Sequence, residues 1–515
     1  MASNETDPDS DVSDGFAGGH GDEPNIEFYG GRMASAIPLG LFIVWAIFQS
    51  GILQIGDTTG LVAGMLVALI VGMFFVKGSW TGYANTIFEG MTQRVAATAI
   101  VAWLWAGMFS QVLQDGAFVQ GLFWAADVLQ VSPELFPAIT FILAGLLATG
   151  IGTGYGTVIL FVGLFFPAGV LIGANPTLLF GAILSGAVFG DNLAPVSDTT
   201  IVSAVTQNSD IGGVVASRFK YAIIAAVLAF SAYIIAGFAL PTSASIGSIP
   251  ESFSGNPFGL IHLLSIAVVI VTAVRGRHIV EAISWGILTA IVVNLAFGLS
   301  TVADILAFQA PAELATAQTL SWLPFVTLVP MEETGVAGSL YQGALGFFPL
   351  IVLTLLIVAG ARIMIRGGGF EAMQDWLLET VATNVTRAET TMVVGTGLMN
   401  AMITINTAAE IAIAPYIARI GERYNINGYR RANILDANTS ALGYIFPWAG
   451  GVLVGYAEMG GLVATYGQQM MVRPATVVPF VFHGWFLVGV FLFAALTGFG
   501  REYITDRTSG EVARV

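Results

Sequence analysis

Two carboxylates stand close together inside one long apolar stretch of the sequence. Asp191 and Asp198 are seven residues apart, and the polar side chains around them are Asn192, Ser197, Thr199 and Thr200. Because a charged side chain at bilayer depth is costly, carboxylates placed there indicate a functional site. Carboxylate, amide and hydroxyl oxygens are hard ligands suited to an alkali cation, and a carboxyl group can also carry a proton. The stretch therefore predicts a cation or proton site at Asp191 and Asp198; the alternative for Asp198 is the N-cap of a half-helix.

The composition is that of a protein embedded in lipid. Hydrophobic residues make up 56% of the chain and charged residues only 10%, far from the balance of a soluble domain. Apolar stretches of about 18 to 22 residues, each long enough for one crossing, recur along the chain. They predict an all-α polytopic protein of the cell membrane with about ten to twelve transmembrane segments, because the stretches are too long for barrel strands.

Several classes of function are excluded by what the sequence lacks. There is no cysteine, so disulfides and thiolate metal sites are impossible. No nucleotide-binding loop or nucleophile triad appears, so neither an enzyme nor a cofactor is predicted. The net charge of −15 argues against nucleic acid as a partner. Lysine is scarce: of the 18 basic residues, only Lys77 and Lys220 are lysines. This scarcity predicts either adaptation to a salty cytoplasm or a general acidic bias. The sequence leaves open whether the protein forms a homo-oligomer.

A break rich in glycine and threonine interrupts the apolar run from Phe136 to Gly173. Its threonines are Thr149, Thr153 and Thr157. In repeat-built transporters such breaks turn helix ends and bare carbonyls toward a site at the middle of the membrane. The break is therefore predicted to be an unwound segment in mid-helix that supports the site. Close packing of helices through small residues is the alternative.

The second half of the chain repeats this plan. Its polar break contains Asn406, Thr407 and Glu410, and Asp436 answers the aspartate motif. Internal symmetry with polar breaks at matching places predicts two membrane repeats. The predicted divisions are a disordered acidic cytoplasmic tail at 1–33, repeats at 34–257 and 258–499, and a short tail at 500–515.

Glu410 and Asp436 each have a second interpretation. Glu410 could extend to a membrane interface near Arg419 instead of entering a site. Asp436 follows Arg431 by five residues and could be its salt-bridge partner at the membrane surface. Both residues are kept as supporting members of the predicted site.

Charges in the loops predict that the repeats are inverted. The loop at 173–177 is uncharged, whereas the matching loop of the second half carries Arg419, Arg423, Arg430 and Arg431; basic loops stay in the cytoplasm. One cluster conflicts with this topology, because Arg362, Arg366 and Arg387 precede the second break and Arg419 follows it.

Arg218 and Lys220 are predicted to mark a further cytoplasmic boundary, and 301–342 is predicted to lie outside. Between 95 and 129 the polar residues at 111–116 predict either a re-entrant hairpin or an ordinary loop.

Residues 189–200, Phe-Gly-Asp-Asn-Leu-Ala-Pro-Val-Ser-Asp-Thr-Thr, resemble the G-D-x-x-[SA]-P-x-S-D-T-T signature of NhaC-type sodium/proton antiporters. Thr149-Gly150 and Gly156-Thr157 resemble the upstream break of that family, and the likeness extends over about 79–498. The resemblance implies a helical transporter of the wider ion-transporter superfamily that exchanges Na⁺ for H⁺, with Asp191 and Asp198 as its Na⁺ ligands.

The sequence departs from the family pattern in the second half. Many members carry an acidic residue where Asn406 stands and a Glu-Asp pair near Asp436. The family also includes exchangers of organic acids or amino acids, so a sodium-coupled carrier of such a solute is the alternative function. No Lys or Arg lies between Arg94 and Arg218, which weakens that alternative, since a carboxylate substrate would depend on helix N-termini alone.

Overall fold

The computed structural model describes residues 26–242 and 254–504. Most of them form helices, and one small sheet lies between two membrane helices. The chain is a multi-pass membrane protein, and the predicted all-α class is confirmed for its membrane part. Most of the predicted acidic tail, the part before residue 26, and the C-terminal residues from 505 lie outside the described residues.

The elements follow one another in this order: α1 Arg32–Ile52, α2 Thr58–Met73, α3 Trp80–Met91, α4 Arg94–Asp115, α5 Phe118–Val128, α6 Phe136–Ile151, α7 Gly154–Leu171, α8 Pro176–Leu193, α9 Asp198–Thr206, α10 Ile211–Ala239, α11 Pro257–Val274, α12 Ile279–Phe297, α13 Val302–Ile305, β1 Ala307–Pro311, α14 Ala315–Leu320, β2 Val326–Val329, β3 Gly335–Ala337, α15 Ser339–Leu345, α16 Phe348–Arg366, α17 Gly369–Trp376, α18 Val385–Ile403, α19 Asn406–Arg423, α20 Gly428–Leu442, α21 Gly450–Tyr466, α22 Pro474–Phe480 and α23 Phe482–Thr497.

Within the described part of the chain, eight helical segments are long and apolar enough to cross a membrane. They are α1, α4, α7, α8, α10, α11, α12 and the pair α15–α16. The bent pair α22–α23 is a ninth candidate, and α2 and α6 are shorter apolar helices. With these included, the number of apolar segments falls in the predicted range of about ten to twelve.

The first polar break is the tip of a helical hairpin. α6 ends at Ile151, Gly152 has a φ of +70°, and α7 begins at Gly154. Phe136 at the start of α6 packs against Gly169 near the end of α7, so the two helices run antiparallel. The break lies where the sequence predicted it, but the chain reverses there instead of continuing across the membrane. Glycine tolerates the left-handed conformation that this reversal needs.

The second polar break is a hairpin of the same kind. α18 and α19 meet at Thr404, which has a φ of +62°. Tyr416 Oη of α19 donates to Thr391 Oγ1 of α18 at 2.8 Å, and Tyr424 Oη donates to Ala382 O at 2.5 Å. These contacts pair the end of α19 with the start of α18. We call α6–α7 the first hairpin and α18–α19 the second hairpin.

The second hairpin removes the conflict between the basic clusters. Because the chain turns back at Thr404, Arg387 at the start of α18 and Arg419 near the end of α19 lie at the same end of the hairpin. Arg419 pairs with Asp375, which follows α16 closely along the chain. The basic residues before and after the break therefore share one face, as the positive-inside rule requires.

The helices that follow the two hairpins run in opposite directions. α8 is antiparallel to α10, and α10 is parallel to α20, so α8 and α20 point opposite ways. The contacts that establish these directions are Ser185–Tyr233 and Asn192–Arg218 for α8 with α10, and Asp210–Tyr429 and Ser217–Asn433 for α10 with α20. Inverted topology is confirmed for these helices; the repeat boundaries at 34–257 and 258–499 stay predictions.

The peripheral elements complete the frame. α3 packs against α16, and its Glu89 accepts from Arg362 and Arg366. α4 turns at Gly116 into α5, whose 11 residues are too few to cross a membrane.

The segment at 301–342 contains a sheet that was not predicted, in which β1 pairs parallel with β2 and antiparallel with β3. Its three strands are too short to show in the hydropathy pattern.

A buried ion cluster holds the basic end of the second hairpin. Glu389 of α18 is fully buried and accepts from Arg430 at 2.8 Å and from Arg501 at 2.8 Å. Removing one member of a buried pair leaves an uncompensated charge, at a cost of about 3–5 kcal/mol. We expect Glu389→Gln to lower the free energy of unfolding by about that amount, measured by thermal and denaturant unfolding in detergent. Glu379→Gln, an exposed carboxylate nearby, is the matched control and should change it by less than about 0.5 kcal/mol; equal stability of both variants would contradict the expectation.

Candidate functional site

The tip of each hairpin meets a break in the helix that follows it. Gly152 lies against Val196 and Ser197, between α8 and α9. Gly450 N, at the start of α21, donates to Thr404 O at 3.0 Å. α9 packs on α19 of the second hairpin, and α21 packs on α7 of the first. The polar breaks of both halves therefore come together in the centre of the protein, between the repeats.

Asp191 lies near the end of α8 and is almost fully buried, with 4% exposure. Ser197 Oγ donates to Asp191 Oδ1 at 2.8 Å, and Ser197 Oγ is 3.0 Å from Thr199 Oγ1. Asp191 Oδ2 lies beside Gly154, the first residue of α7, together with the hydroxyl of Tyr444. A helix N-terminus presents unpaired N–H groups and favours negative charge. The second carboxylate oxygen therefore lies against the N-terminus of α7, which stabilises its negative charge.

Asp198 begins α9 and, unlike Asp191, is exposed. Its Oδ1 accepts from Thr199 N at 3.1 Å, and its Oδ2 accepts from Thr407 Oγ1 of the second hairpin at 2.5 Å. The N-cap residue of α9 is Ser197, whose side chain makes no capping bond. Asp198 is therefore the first residue of the helix and links α9 to the tip of the opposite hairpin.

Arg218 lies in the centre of the protein, and the prediction that it marks a membrane boundary was wrong. Its side chain has no exposed area and pairs with the equally buried Asp436. Arg218 Nη1 also donates to Asn192 O at 2.8 Å and to Thr200 Oγ1 at 3.3 Å, and Nε donates to Asn433 Oδ1 at 3.1 Å. The guanidinium joins the end of α8 to α20. The burial of Arg218 was not predicted, because Arg218 stands near Lys220 in a pattern typical of a cytoplasmic loop. In the structure Arg218 is inside α10.

Asp436 is neutralised by this ion pair. Thr200 Oγ1 donates to its Oδ2 at 3.1 Å, and Ser440 Oγ donates to its Oδ1 at 2.9 Å. The alternative of a surface salt bridge with Arg431 is wrong, since Arg431 donates to two main-chain oxygens instead. With an arginine and two hydroxyls on its oxygens, Asp436 is occupied in holding the two halves together.

Glu410 is fully buried in the first turns of α19. Thr439 Oγ1 donates to Glu410 Oε1 at 2.9 Å, and Oε2 has no hydrogen-bond partner. The alternative that Glu410 reaches an interface near Arg419 is wrong, because Arg419 lies about 13 Å farther along the helix. Glu410 is a buried carboxylate near the tip of the second hairpin.

The remaining predicted residues build the tips. Thr149 Oγ1 donates to Gly145 O, Thr153 Oγ1 caps α7 by accepting from Gly156 N, Thr157 Oγ1 donates to Thr153 O, and Asn406 Oδ1 accepts from Asn400 Nδ2. These bonds are local to each hairpin. The threonines of the first break therefore hold the turn that presents Gly154 to Asp191.

Several buried oxygens around this centre have no hydrogen-bond partner in the described part of the chain. They are Asn192 Oδ1, Glu410 Oε2, Asn438 Oδ1 and Tyr444 Oη. Native proteins rarely leave such atoms unpaired, and each asks for an explanation. Acceptor oxygens beside unpaired carboxylates fit a cation with mixed oxygen ligands. Among the described residues, no group of three or more His, Cys or acidic side chains converges to hold a metal ion, so amides and hydroxyls would complete any cation shell.

Two tyrosines at the centre were not predicted. Tyr155 of α7 and Tyr444 after α20 lie with ring centroids 5.5 Å apart. Tyr155 Oη accepts from Asn406 N at 3.4 Å. Aromatic residues in apolar stretches carry no distinctive signal, so only the reversal of both hairpins shows that they meet here.

Comparison with known proteins gives a family and several relatives. A model described as the Na⁺/H⁺ antiporter family matches residues 29–217 and 204–485. The Na⁺/H⁺ antiporter NhaC of Alkalihalophilus pseudofirmus is 23% identical over 49% of this chain and 55% of its own length. The malate-2H⁺/Na⁺-lactate antiporter of Bacillus subtilis is 25% identical over 39% and 42%. The arginine/ornithine antiporter ArcD of Halobacterium salinarum is 23% identical over 82% and 91%. The chain spans about half of the length of the first curated relatives it matches.

The contact at Gly154 yields a test of the site. A Cβ atom there would collide with the Tyr444 hydroxyl and lie 3.0 Å from Asp191 Oδ2. We expect Gly154→Ala to displace the carboxylate and to lower the transport rate by about 100-fold, as small misplacements of reacting groups do. Flux is measured in proteoliposomes at equal protein content. Gly460→Ala is the control, because that position faces open space; a normal rate in Gly154→Ala would remove this contact from the site.

Proposed function

Because this chain belongs to the Na⁺/H⁺ antiporter family, we propose that it is a secondary antiporter that exchanges Na⁺ for H⁺ across the membrane. Asp191 and Asp198 bind the two ions in competition. The observation that carries the proposal is that Asp191 is a buried carboxylate without a cationic partner. Its side chain accepts a hydrogen bond from the Ser197 hydroxyl and forms no ion pair among the described residues.

An unpaired buried carboxylate needs a counter-charge or a proton. Arg218, the cation nearest to this centre in the described contacts, is already paired with Asp436. The negative charge of Asp191 is therefore balanced either by a bound cation or by protonation, because an isolated charge in a dry interior is costly. One carboxylate that takes either ion, but not both together, is sufficient for exchange when it faces each side in turn.

The inverted arrangement supports alternating access. Two hairpin tips of opposite orientation lie on the site, and each is covered by a helix from the other half. In repeat-built transporters, movement of one unit against the other opens a central site to one side at a time. Asp198 contacts Thr407 of the second hairpin, so the exposed carboxylate is placed where that hairpin would move.

We expect Asp191→Asn to abolish Na⁺-dependent proton flux, because the amide neither titrates nor neutralises a cation. The measurement is the collapse of an imposed pH gradient in proteoliposomes when Na⁺ is added. Asp127→Asn, an exposed aspartate at the end of α5, is the control and should exchange normally. Thermal unfolding of both variants shows whether the fold is intact. Normal exchange by a well-folded Asp191→Asn protein would remove Asp191 from the mechanism.

Exchange of an amino acid or organic acid is the second candidate. ArcD, the relative that aligns over most of this chain, is an arginine/ornithine antiporter by name. Arg218 also has one buried nitrogen, Nη2, without a hydrogen-bond partner, and so could receive a carboxylate. Arg218 is thus a cation at the centre although residues 95–217 contain no Lys or Arg, but Asp436 already occupies the other side of the guanidinium.

The same proteoliposomes separate the two candidates. We expect Na⁺ alone to collapse the pH gradient, and arginine, ornithine, malate or lactate on the opposite side to leave the rate unchanged. The reason is that Arg218 already has a carboxylate partner within the chain. A rate that depends on one of these solutes would overturn Na⁺/H⁺ exchange in favour of the second candidate.

A further inference from the structure

Glu458 is a carboxylate in the membrane part of the chain with no role in the central site. It lies half-buried in the middle of the apolar helix α21. Its Oε1 accepts from Ser110 Oγ at 2.8 Å and from Gln114 Nε2 at 3.4 Å, both on α4. Gly163 of α7 leaves room for this group, since a Cβ there would collide with the Ser110 hydroxyl and lie 2.5 Å from Glu458 Oε1. Three helices thus form a specific cradle around one carboxylate.

The cradle lies a fixed distance from the central site. Gly450 and Gly451, at the start of α21, pack against Tyr155 and Tyr444 of the centre. Glu458 is seven residues beyond Gly451, about 11 Å along the helix. At the level between them Gly455 packs against Phe180 and Val158. An apolar layer therefore separates Glu458 from the central site in this conformation.

On its other side the cradle continues toward a cavity. Gln111 Nε2, one turn before Gln114 on α4, donates to Asp115 Oδ1 at 3.4 Å. Asp115 lines an open cavity of ≈ 460 Å³ together with Asp304 and Gln309. The walls include parts of the 301–342 segment, which is predicted to lie outside. Polar side chains of α4 thus extend from this outer cavity to Glu458.

We propose that Glu458, with Ser110 and Gln114, is a proton-binding site on the path between the outer cavity and Asp191. The proposal rests on the proposed function and adds a route for its protons. Both neighbours donate to the carboxylate, and no ion pair to it occurs in the described contacts, so protonation is the remaining way to neutralise it. Since one of the two neighbours is an NH₂ donor, the set does not form the oxygen cage that a metal cation takes.

The titratable side chains on elements packed against α21 are few. They are Tyr155 on α7, Asp191 at the end of α8, Arg94 and Asp115 at the two ends of α4, Arg362 and Arg366 at the far end of α16 paired with Glu89, Asp57 just before α2, Arg473 just before α22, and Tyr456 and Tyr466 on α21 itself. Of the acidic members, Asp191 belongs to the central site, Asp57 lies beside Tyr456, and Asp115 is on the same helix as Ser110 and Gln114. Asp115 lies one residue beyond Gln114, at the mouth of the outer cavity.

The transfer involves one proton and no change in bonding between heavy atoms. A hydrated proton in the outer cavity transfers to the Glu458 carboxylate, which becomes a neutral carboxyl group and leaves neutral water behind. When the apolar layer at Gly455 opens, the proton leaves Glu458 and adds to Asp191, whose bound cation departs. The same steps in reverse order return the proton to the outer cavity.

The test uses Glu458→Gln in the full-length protein. We expect this variant to exchange about 100-fold more slowly, as loss of a proton-transfer group typically costs, with a changed pH profile and unchanged Na⁺ protection against thermal unfolding. Infrared difference spectra between acid and alkaline buffer should lose one carboxyl band. Glu458→Asp should recover part of the rate. Glu281→Gln, a partly exposed carboxylate on α12, is the matched control and should behave as wild type.

Two results would overturn the proposal. One is a Glu458→Gln protein with wild-type rate, pH profile and carboxyl bands. The other is a parallel loss of rate and Na⁺ protection with no change in pH profile, which a purely structural role would produce. The infrared band reports protonation of Glu458 independently of flux. A wild-type protein without Na⁺-dependent flux would therefore contradict the proposed function, while a missing band in Glu458→Gln would still support the proton site.

Discussion

The buried pair of Arg218 and Asp436 is the interaction on which the arrangement of the centre depends. Ion pairs removed from water must recover a large desolvation cost through close contact and further hydrogen bonds. Here the guanidinium also donates to the main-chain oxygen of Asn192, at the end of α8, and to the hydroxyl oxygen of Thr200. One side chain from α10 thereby joins α8, α9 and α20, which belong to opposite halves of the chain. Because Arg218 is committed to Asp436, Asp191 is left without a cation of its own.

The two hairpins explain how helices can deliver polar groups to the middle of a membrane. Each tip ends one helix and begins another at the same depth, so unpaired N–H groups lie inside the protein rather than at its surface. Gly152 and Thr404 adopt left-handed backbone conformations at these turns. The capping hydroxyl of Thr153 and the main-chain bond from Gly450 to Thr404 satisfy part of the exposed backbone. The remaining polarity of the first tip is directed at Asp191.

The sequence was sufficient to single out Asp191 and Asp198, because polar residues in an apolar run are a strong signal; their role as ion ligands stays a prediction. It also located both breaks and indicated that the halves are inverted. The reversal at each break could not be predicted, since an unwound helix and a hairpin tip have the same composition. Arg218 was misplaced for a related reason, because its distance from the membrane surface depends on where α10 begins. Glu458 carried the same signal, an acid within an apolar helix, but it was overlooked because it stands without the cluster of amide and hydroxyl groups that surrounds Asp191.

The two halves of the site are chemically unequal although their backbones are alike. The first half provides Asp191 and Asp198, neither in an ion pair, whereas the second half provides Asp436 bound to Arg218 and Glu410 without an ion pair in the described contacts. In the proposed mechanism this inequality has a function. Asp436 is neutralised internally, so it adds no charge when the site changes sides. Asp191, and likewise the buried Glu410, must be neutralised by a proton or a bound cation before the site can move. Such a constraint penalises movement of the unloaded carrier, and it is this penalty that would couple the two ions.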